Sequence, residues 1–429
     1  MLPRHLFLNL TAFALVAVPC AAQDTQNLSL ADAEKIAIQN HPQIQAAGYL
    51  AIAAQAQVTQ ARSVYYPQAV GSLTGVEAET NSRISAGAFN NPIIFDRFAD
   101  GVAVNQLVTD FGRTHELVKS SKLHAAAQKE NVTTSRADVL VNVDRAYYSV
   151  LRAQAVLKVA EETVKDRQLV SDQITALEKN KLKSGLDVSF ANVDLAEAQL
   201  LLIQAQNGVE ASYADLSAAL GYSEEKTFTL TEEPVPPAPS PNVAELISQA
   251  LQNRPELVSR RLDVSSAQIY ATAERDLWLP TISAVGAAGL APVHEDLLGS
   301  RYAAGGFNVN IPLFNGHEFG ALRAEANAQA QAQQQYLRDL ENGIVREVRK
   351  AWLESNAAFQ RLSVTQQLLS QATQALDLAQ QRYKLGLSSI IELSQAQLNM
   401  TQAEITQASA KYDYETAIST LNYEIGVVH

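Results

Sequence analysis

Histidine is the residue type best suited to metal ligation or proton transfer, and here its spacing supports neither. His5, His41, His115, His124, His294, His317 and His429 are scattered over 429 residues. None makes the helix-spaced pair with a carboxylate that a zinc site needs. His115 and His124 lie nine positions apart in a helical stretch, which suits solvated or interface positions better than ligation. The chain has no phosphate-binding loop, no dinucleotide-binding glycine run and no Gly-x-Ser-x-Gly elbow. Cys20 is the only cysteine, so no internal disulfide forms. The expectation is a protein with no cofactor, no metal and no catalytic constellation. A net charge of −12 gives no reason to expect nucleic acid as a partner. The composition, 18% charged and 7% aromatic with long runs of Ala, Gln and Leu, suits long packed helices rather than a large aromatic core.

What the sequence does carry is a duplication. At an offset of 213, Asn40-His41-Pro42-Gln43-Ile44 lies on Asn253-Arg254-Pro255-Glu256-Leu257, Arg62 on Arg275, and Tyr66-Pro67 on Leu279-Pro280. A period of about 210 residues is too long for a solenoid, so the chain reads as two copies of one half-molecule. The first repeat is assigned to 23–231 and the second to 242–429. Between them, 232–241 holds five prolines in the eight residues from Pro234 to Pro241, a stiff extended linker.

Ahead of the first repeat, residues 1–22 read as a secretory signal. Arg4 and His5 precede an apolar run, and small residues lead to a cleavage position after Ala22. Two alternatives stay open, an uncleaved anchor and a lipoprotein carrying its lipid on Cys20. No later run of 18 uncharged apolar residues offers a transmembrane helix.

Within each repeat the hydrophobic period changes twice. Helical patterns over 30–40 and 43–66 give way to extended segments at about 68–79 and 101–109, separated by a loop rich in Asn and Gly over 81–100. A helical stretch of about 70 residues, roughly 105 Å at 1.5 Å per residue, opens at Asp110-Phe111-Gly112-Arg113. Its apolar seam (Val139, Val143, Ala146, Val150, Ala153, Leu157, Ala160, Val164) alternates spacings of 4 and 3, a heptad pattern. At an offset of 205 the second repeat carries Ile344, Val348, Ala351, Ser355, Ala358, Leu362, Thr365, Leu369, Ala372, Leu376, Ala379 and Tyr383, with Ser355 and Thr365 as polar intruders. Both long helices are expected to end on glycine C-caps, Gly185 at a tip spanning 183–187 and Gly386 at a tip spanning 384–388. The second repeat places strands at about 281–290 and 305–314, where Phe307, Val309, Ile311 and Leu313 alternate with Gly306, Asn308, Asn310 and Pro312. The faces of the first pair cannot be assigned from sequence.

Four strands of about ten residues are long enough to cross a bilayer. Four cannot close, and an open edge in lipid costs several kcal/mol per unpaired group. If the strands enter a membrane, the barrel must be shared among copies of the chain. The alternative is an antiparallel sheet in a soluble domain.

With the paired Asn-x-Pro segments, Pro67 and Pro280 at helix-to-strand changes, Asp110–Arg113, and Tyr383-Lys384-Leu385-Gly386-Leu387 all in order, the chain resembles the outer membrane efflux protein family. The resemblance implies a mainly α fold with β: a long α-helical barrel, plus four strands per chain in a 12-stranded transmembrane barrel shared by a homotrimer. It implies an exit duct in the outer membrane, extending into the periplasm, that serves a tripartite efflux pump or type I secretion system. The partners would be outer-membrane lipid, a periplasmic adaptor docked on the tips (Gly185, Leu186, Gly386, Leu387 and Ser388) and an inner-membrane transporter. A well-known member of the family narrows its periplasmic end with acidic residues six and nine positions after the second tip glycine. Here those positions are Glu392 and Gln395, so one acidic ring is expected rather than two. Asp194, nine after Gly185, is a further gate candidate, and the alternative reading of Glu392 is a solvated helix residue. Two rival classes are a periplasmic adaptor and a structural coiled-coil tether of the envelope. The first has no need of two separated strand pairs, and the second leaves the duplicated strands unexplained.

Overall fold

The computed structural model describes residues 27–76, 97–290 and 300–427. The signal reading, Cys20 and most of the loop over 81–100 lie outside these residues.

The duplication governs the architecture helix for helix. The first repeat runs α1 (Leu30–Asn40), α2 (Pro42–Arg62), β2 (Gln68–Val76), β3 (Arg97–Thr109), α3 (Arg113–Lys179) and α4 (Gly185–Ala219), after a two-residue strand β1 (Asn27–Leu28). After β4 (Thr229–Leu230), the second runs α5 (Val243–Asn253), α6 (Pro255–Arg275), β5 (Thr281–Leu290), β6 (Arg301–Asn310), α7 (Glu318–Lys384) and α8 (Ile390–Glu424). Equivalent helices have equal lengths: 11, 21, 67 and 35 residues in both repeats. A 67-residue helix is about 100 Å long.

Local chemistry places the breaks. Ser29 caps α1 by accepting from Asp32 N at 3.2 Å, and His41 caps α2 by accepting from Gln43 N through Nδ1 at 3.2 Å. Pro42 and Pro255 occupy the first helical turn, where a missing N–H costs nothing. At the entry to α3, Phe111 and Gly112 have positive φ, and Asp110 accepts from Gly112 N and Thr114 N. Gly316 and His317 repeat this left-handed turn before α7.

The strands form one antiparallel sheet of order β2-β3-β5-β6. β3 starts at Arg97, four residues before the sequence suggested. β6 spans Arg301–Asn310 instead of 305–314. Pro312 has no N–H to donate to a ladder, so pairing stops ahead of it. Register resolves the faces that sequence left open. Phe307 pairs with Ala284, Val309 with Ile282, Ala288 with Val102 and Gly286 with Val104, so these lie on one apolar face. Asn308 with Ser283, and Asn105 with Gln68, fall on the other. The outer edges of β2 and β6 have no strand beside them.

Below the sheet, α3 packs against α2, α4, α6 and α8, and α7 against α5, α6 and α8. The α7 seam is buried or half-buried from Ile344 to Tyr383. Its intruders are satisfied within their own helix: Ser355 donates to Trp352 O at 2.9 Å and Thr365 to Leu362 O at 3.2 Å. In α3 the buried stripe moves off the expected line after Ala160, passing through Thr163, Arg167, Ser171 and Ile174 instead of Val164. Apolar clusters gather where α1 and α5 cross the long helices, around Tyr147, Leu216 and Leu28 in one repeat and Leu257, Ile344 and Val348 in the other. The proline linker is strapped down there. Tyr414 Oη donates to Pro237 O at 2.5 Å, Trp352 Nε1 to Ser240 O at 2.7 Å, and Tyr147 Oη to Thr231 O at 2.7 Å.

Candidate functional site

The long helices reverse at one end of the molecule, and the two reversals differ. α7 closes with a full Schellman motif: Gly386 N–H donates to Tyr383 O at 3.1 Å, Leu387 N–H to Arg382 O at 2.8 Å, and Gly386 takes φ +70°. The expected glycine cap is correct there. In the first repeat it is not. α3 ends at Lys179 and the left-handed residue is Lys181 (φ +59°), with Lys181 N–H donating to Glu178 O and Leu182 N–H to Leu177 O. Gly185 is instead the first residue of α4, capped by a reciprocal Ser184–Asp187 capping box. The Ser-x-x-Asp spacing at Ser184 outcompetes the Lys-Ser-Gly stop signal.

The two reversals are tied to each other. Lys183 Nζ lies 3.6 Å from the Tyr383 ring centroid, and Tyr383 Oη donates to Asp187 Oδ1 at 3.4 Å. The Ser184 hydroxyl holds the Asp187 carboxyl below its ordinary range, and burial pushes the Tyr383 phenol up to about 12. Beneath them Ile174, Ala191, Tyr383, Ile390 and Leu393 form a small core. Beyond it Leu182, Leu186, Leu385, Leu387 and Ile391 are all at least 60% exposed. An apolar group this concentrated at the end of a polar bundle is a candidate protein-binding surface. Leu182 and Leu385 belong to it although the sequence reading missed them. Each lies beside the positive-φ residue of its turn; only Leu385, next to Gly386, had a signal in the sequence.

The gate candidates sit just behind. Glu392 pairs with Arg382 Nε at 3.1 Å, with both side chains about half exposed. Gln395 donates to Asn399 Oδ1 at 3.0 Å, within its own helix. Asp194 accepts from Ser394 Oγ at 2.5 Å, linking α4 to α8. Arg382 and Ser394 had no signal in sequence, because only the hairpin crossing brings them to these carboxylates.

At the other end, the sheet turns on two glycines. Gly101, Gly289 and Tyr302 are neighbours across β3, β5 and β6. The Tyr302 ring covers both glycines, and a methyl at Gly289 would collide with the Asp100 carbonyl oxygen. Among the described residues no group of His, Cys, Asp and Glu is arranged to hold a metal, and no helix is long and apolar enough to cross a membrane. His124 Nδ1 lies 3.0 Å from Asp263 Oδ1, a pairing between α3 and α6, while His115 is exposed.

Comparison with known proteins completes the picture. The family model described as "Outer membrane efflux protein" matches residues 35–222 and 246–427, one segment per repeat. The chain is 22% identical over 370 residues to the outer membrane efflux protein BepC of Brucella suis, covering 84% of this chain and 77% of that protein. It is 23% identical over 419 residues to the alkaline protease secretion protein AprF of Pseudomonas aeruginosa, covering 95% and 86%. Among solved structures, a membrane protein from Pseudomonas aeruginosa superposes with a TM-score of 0.81 at 20% identity, covering 92% of this chain and 93% of that one. The outer membrane protein VceC from Vibrio cholerae gives 0.78 at 19%, covering 92% and 96%.

Proposed function

The chain belongs to the outer membrane efflux protein family, and from that premise we propose that it is the outer-membrane exit duct of a tripartite efflux pump or type I secretion system. It conducts substrates passively from the periplasmic side to the exterior and catalyses no reaction. The observation that carries this reading is the four-stranded sheet with two open edges, set between helices about 100 Å long. One face of the sheet is mainly apolar, and the other carries Asn105, Asn308, Asn310, Ser283 and Gln68. In a bilayer the apolar face meets lipid and the polar face lines a lumen. The open edges then have to be paired, and β6 of one chain against β2 of the next does so. Three copies give twelve strands. The long helices, continuing below, form the periplasmic tube. The rival readings, a periplasmic adaptor or a coiled-coil tether, give this sheet no role.

The exposed leucines at the tips, with Gly185, Leu186, Gly386, Leu387 and Ser388, form the docking surface for a periplasmic adaptor, which couples the duct to an inner-membrane transporter. Glu392, with Asp194 and Gln395 nearby, narrows the periplasmic entrance. Membrane fractionation and mass measurement of the detergent-extracted protein test the core of this proposal. Three chains per particle from the outer membrane are expected. A stable monomer in lipid, or a periplasmic protein, would sink it.

A further inference from the structure

Where α1, α3, α8 and the proline linker meet, they line a half-open cavity of about 480 Å³. Its walls are mainly apolar, from Leu140, Pro236, Pro237, Leu246, Ile418 and Leu421. Three carboxylates also line it: Glu34 from α1, Asp144 from α3 and Glu415 from α8. No Lys, Arg or His is among the lining residues. Asp144 and Glu34 share a hydrogen bond, and Asp144 also accepts from Ser419 Oγ. Glu415 is different. It is 2% exposed, and among the described residues neither carboxylate oxygen has a hydrogen-bond partner. Lys411, the cation that acts on Glu415, is itself bonded to Glu232 at 2.7 Å.

A buried carboxyl without a donor is costly, and here three carboxyls line one cavity whose lining residues include no Lys, Arg or His. An apolar cavity of this size with a few converging polar groups has the form of a small-molecule site. The donor set argues against a metal, since no described group of these residues is arranged to hold one. A bare inorganic cation would also leave the Pro and Leu walls unmatched. An ammonium group on an apolar body satisfies both halves of the cavity. We propose that this cavity is a binding site for an amphiphilic organic cation, with its ammonium on Glu415, Asp144 and Glu34 and its apolar part against the linker prolines and α8.

Charge-assisted hydrogen bonds are the stronger kind, and each is worth a factor of about ten or more in affinity. The titratable groups that act on Glu415 are Lys411 and Tyr412 on its own helix, Glu232 and Glu233 from the linker, and Tyr147 and Tyr148 from α3. Burial pushes the Glu415 carboxyl up to about 7. A bound ammonium lowers that value again, so binding should release a proton and tighten as pH rises through about 7.

The test uses the full-length assembled protein in lipid nanodiscs, titrated calorimetrically with n-hexylammonium chloride at pH 8, with empty nanodiscs subtracted. Saturable binding is expected, weakened about tenfold by Glu415→Gln and weakened on going to pH 6. The neutral analogue 1-hexanol should bind far more weakly. If Glu415→Gln fails to assemble, Asp144→Asn carries the same comparison. No saturable binding to the parent would overturn the proposal. So would equal binding to the variant that assembles, or sodium chloride alone competing as strongly as hexylammonium. None of these results bears on whether the protein is a duct.

Discussion

At the scale of single residues, the two tip glycines occupy the same place in the sequence pattern and do different physical work. Gly386 has φ +70°, where an L side chain is strained, whereas Gly185 is an ordinary helical residue with nothing near its missing Cβ. Gly386→Ala should therefore cost about 1 kcal/mol locally, and Gly185→Ala should change stability by less than about 0.5 kcal/mol. Hydrogen exchange at the two turns would separate them, and equal protection in both variants would refute the assignment. The buried carboxyls make a second prediction. Glu34 and Glu415 are both pushed up from 4.5 to about 7, first by burial. Between those values the folded chain binds more protons than the unfolded chain, so their contribution to stability is full below about pH 4.5 and is lost as pH rises through about 7. Glu415→Gln should raise the melting temperature relative to the parent at pH 8, and the gain should vanish near pH 4.5. A gain independent of pH would mean that the carboxyl is not titrating in this window.

At the scale of elements, the sheet is the informative unit. Phe307 and Asn308 are adjacent, exposed in the isolated chain, and on opposite faces. In a barrel the first meets hydrocarbon and the second meets water. Phe307→Lys should then destabilise the assembly by about 2–4 kcal/mol if it sits near the bilayer midplane. Asn308→Lys should be tolerated. The yield of heat-resistant oligomer in outer-membrane extracts measures both, and equal yields would show that the face assignment is wrong. The long helices teach a related lesson. The seam of α7 follows its heptad line throughout, whereas that of α3 drifts onto Thr163, Arg167 and Ser171. Arg167 is held there by its neighbours: Arg167 Nη2 donates to Thr401 at 3.2 Å, and Asp194 acts on it electrostatically.

At the scale of the whole molecule, the proposed threefold symmetry would turn a lone residue into a ring. Three copies of Glu392 around one axis would attract cations, as acidic rings do in cation channels. The Arg382–Glu392 pair offsets part of that charge within each chain. Glu392→Gln should therefore lower cation selectivity and relieve block by multivalent cations without changing assembly. Planar-bilayer conductance would decide, and unchanged selectivity and block would put Glu392 off the pore axis. Bulky charge at a tip is a separate test. Gly386→Arg should abolish export while leaving outer-membrane yield intact, and retained adaptor affinity in the purified variant would contradict the docking role.

The sequence by itself determined whatever repeats or alternates. The Asn-x-Pro corners, the 4–3 seams and the period-two run from Gly306 to Asn310 each express a local geometry, and so the duplicated helices and the strand pairs were legible in it. It also carried the family resemblance. Tertiary structure decided what depends on contacts between distant segments. Register across β3 and β5 fixed the apolar side of the first strand pair, because a one-residue slip reverses every side chain. The competition between Ser184–Asp187 capping and a glycine stop was settled by where α3 runs out, at Lys179. Gly221 and Gly426 press against the α1–α2 and α5–α6 corners, where a Cβ would meet the backbone near His41 and Asn253. The cavity around Glu415 is made by segments as far apart along the chain as Leu30 and Val427. No spacing along the chain encodes that meeting, since it forms only when both repeats pack around the linker.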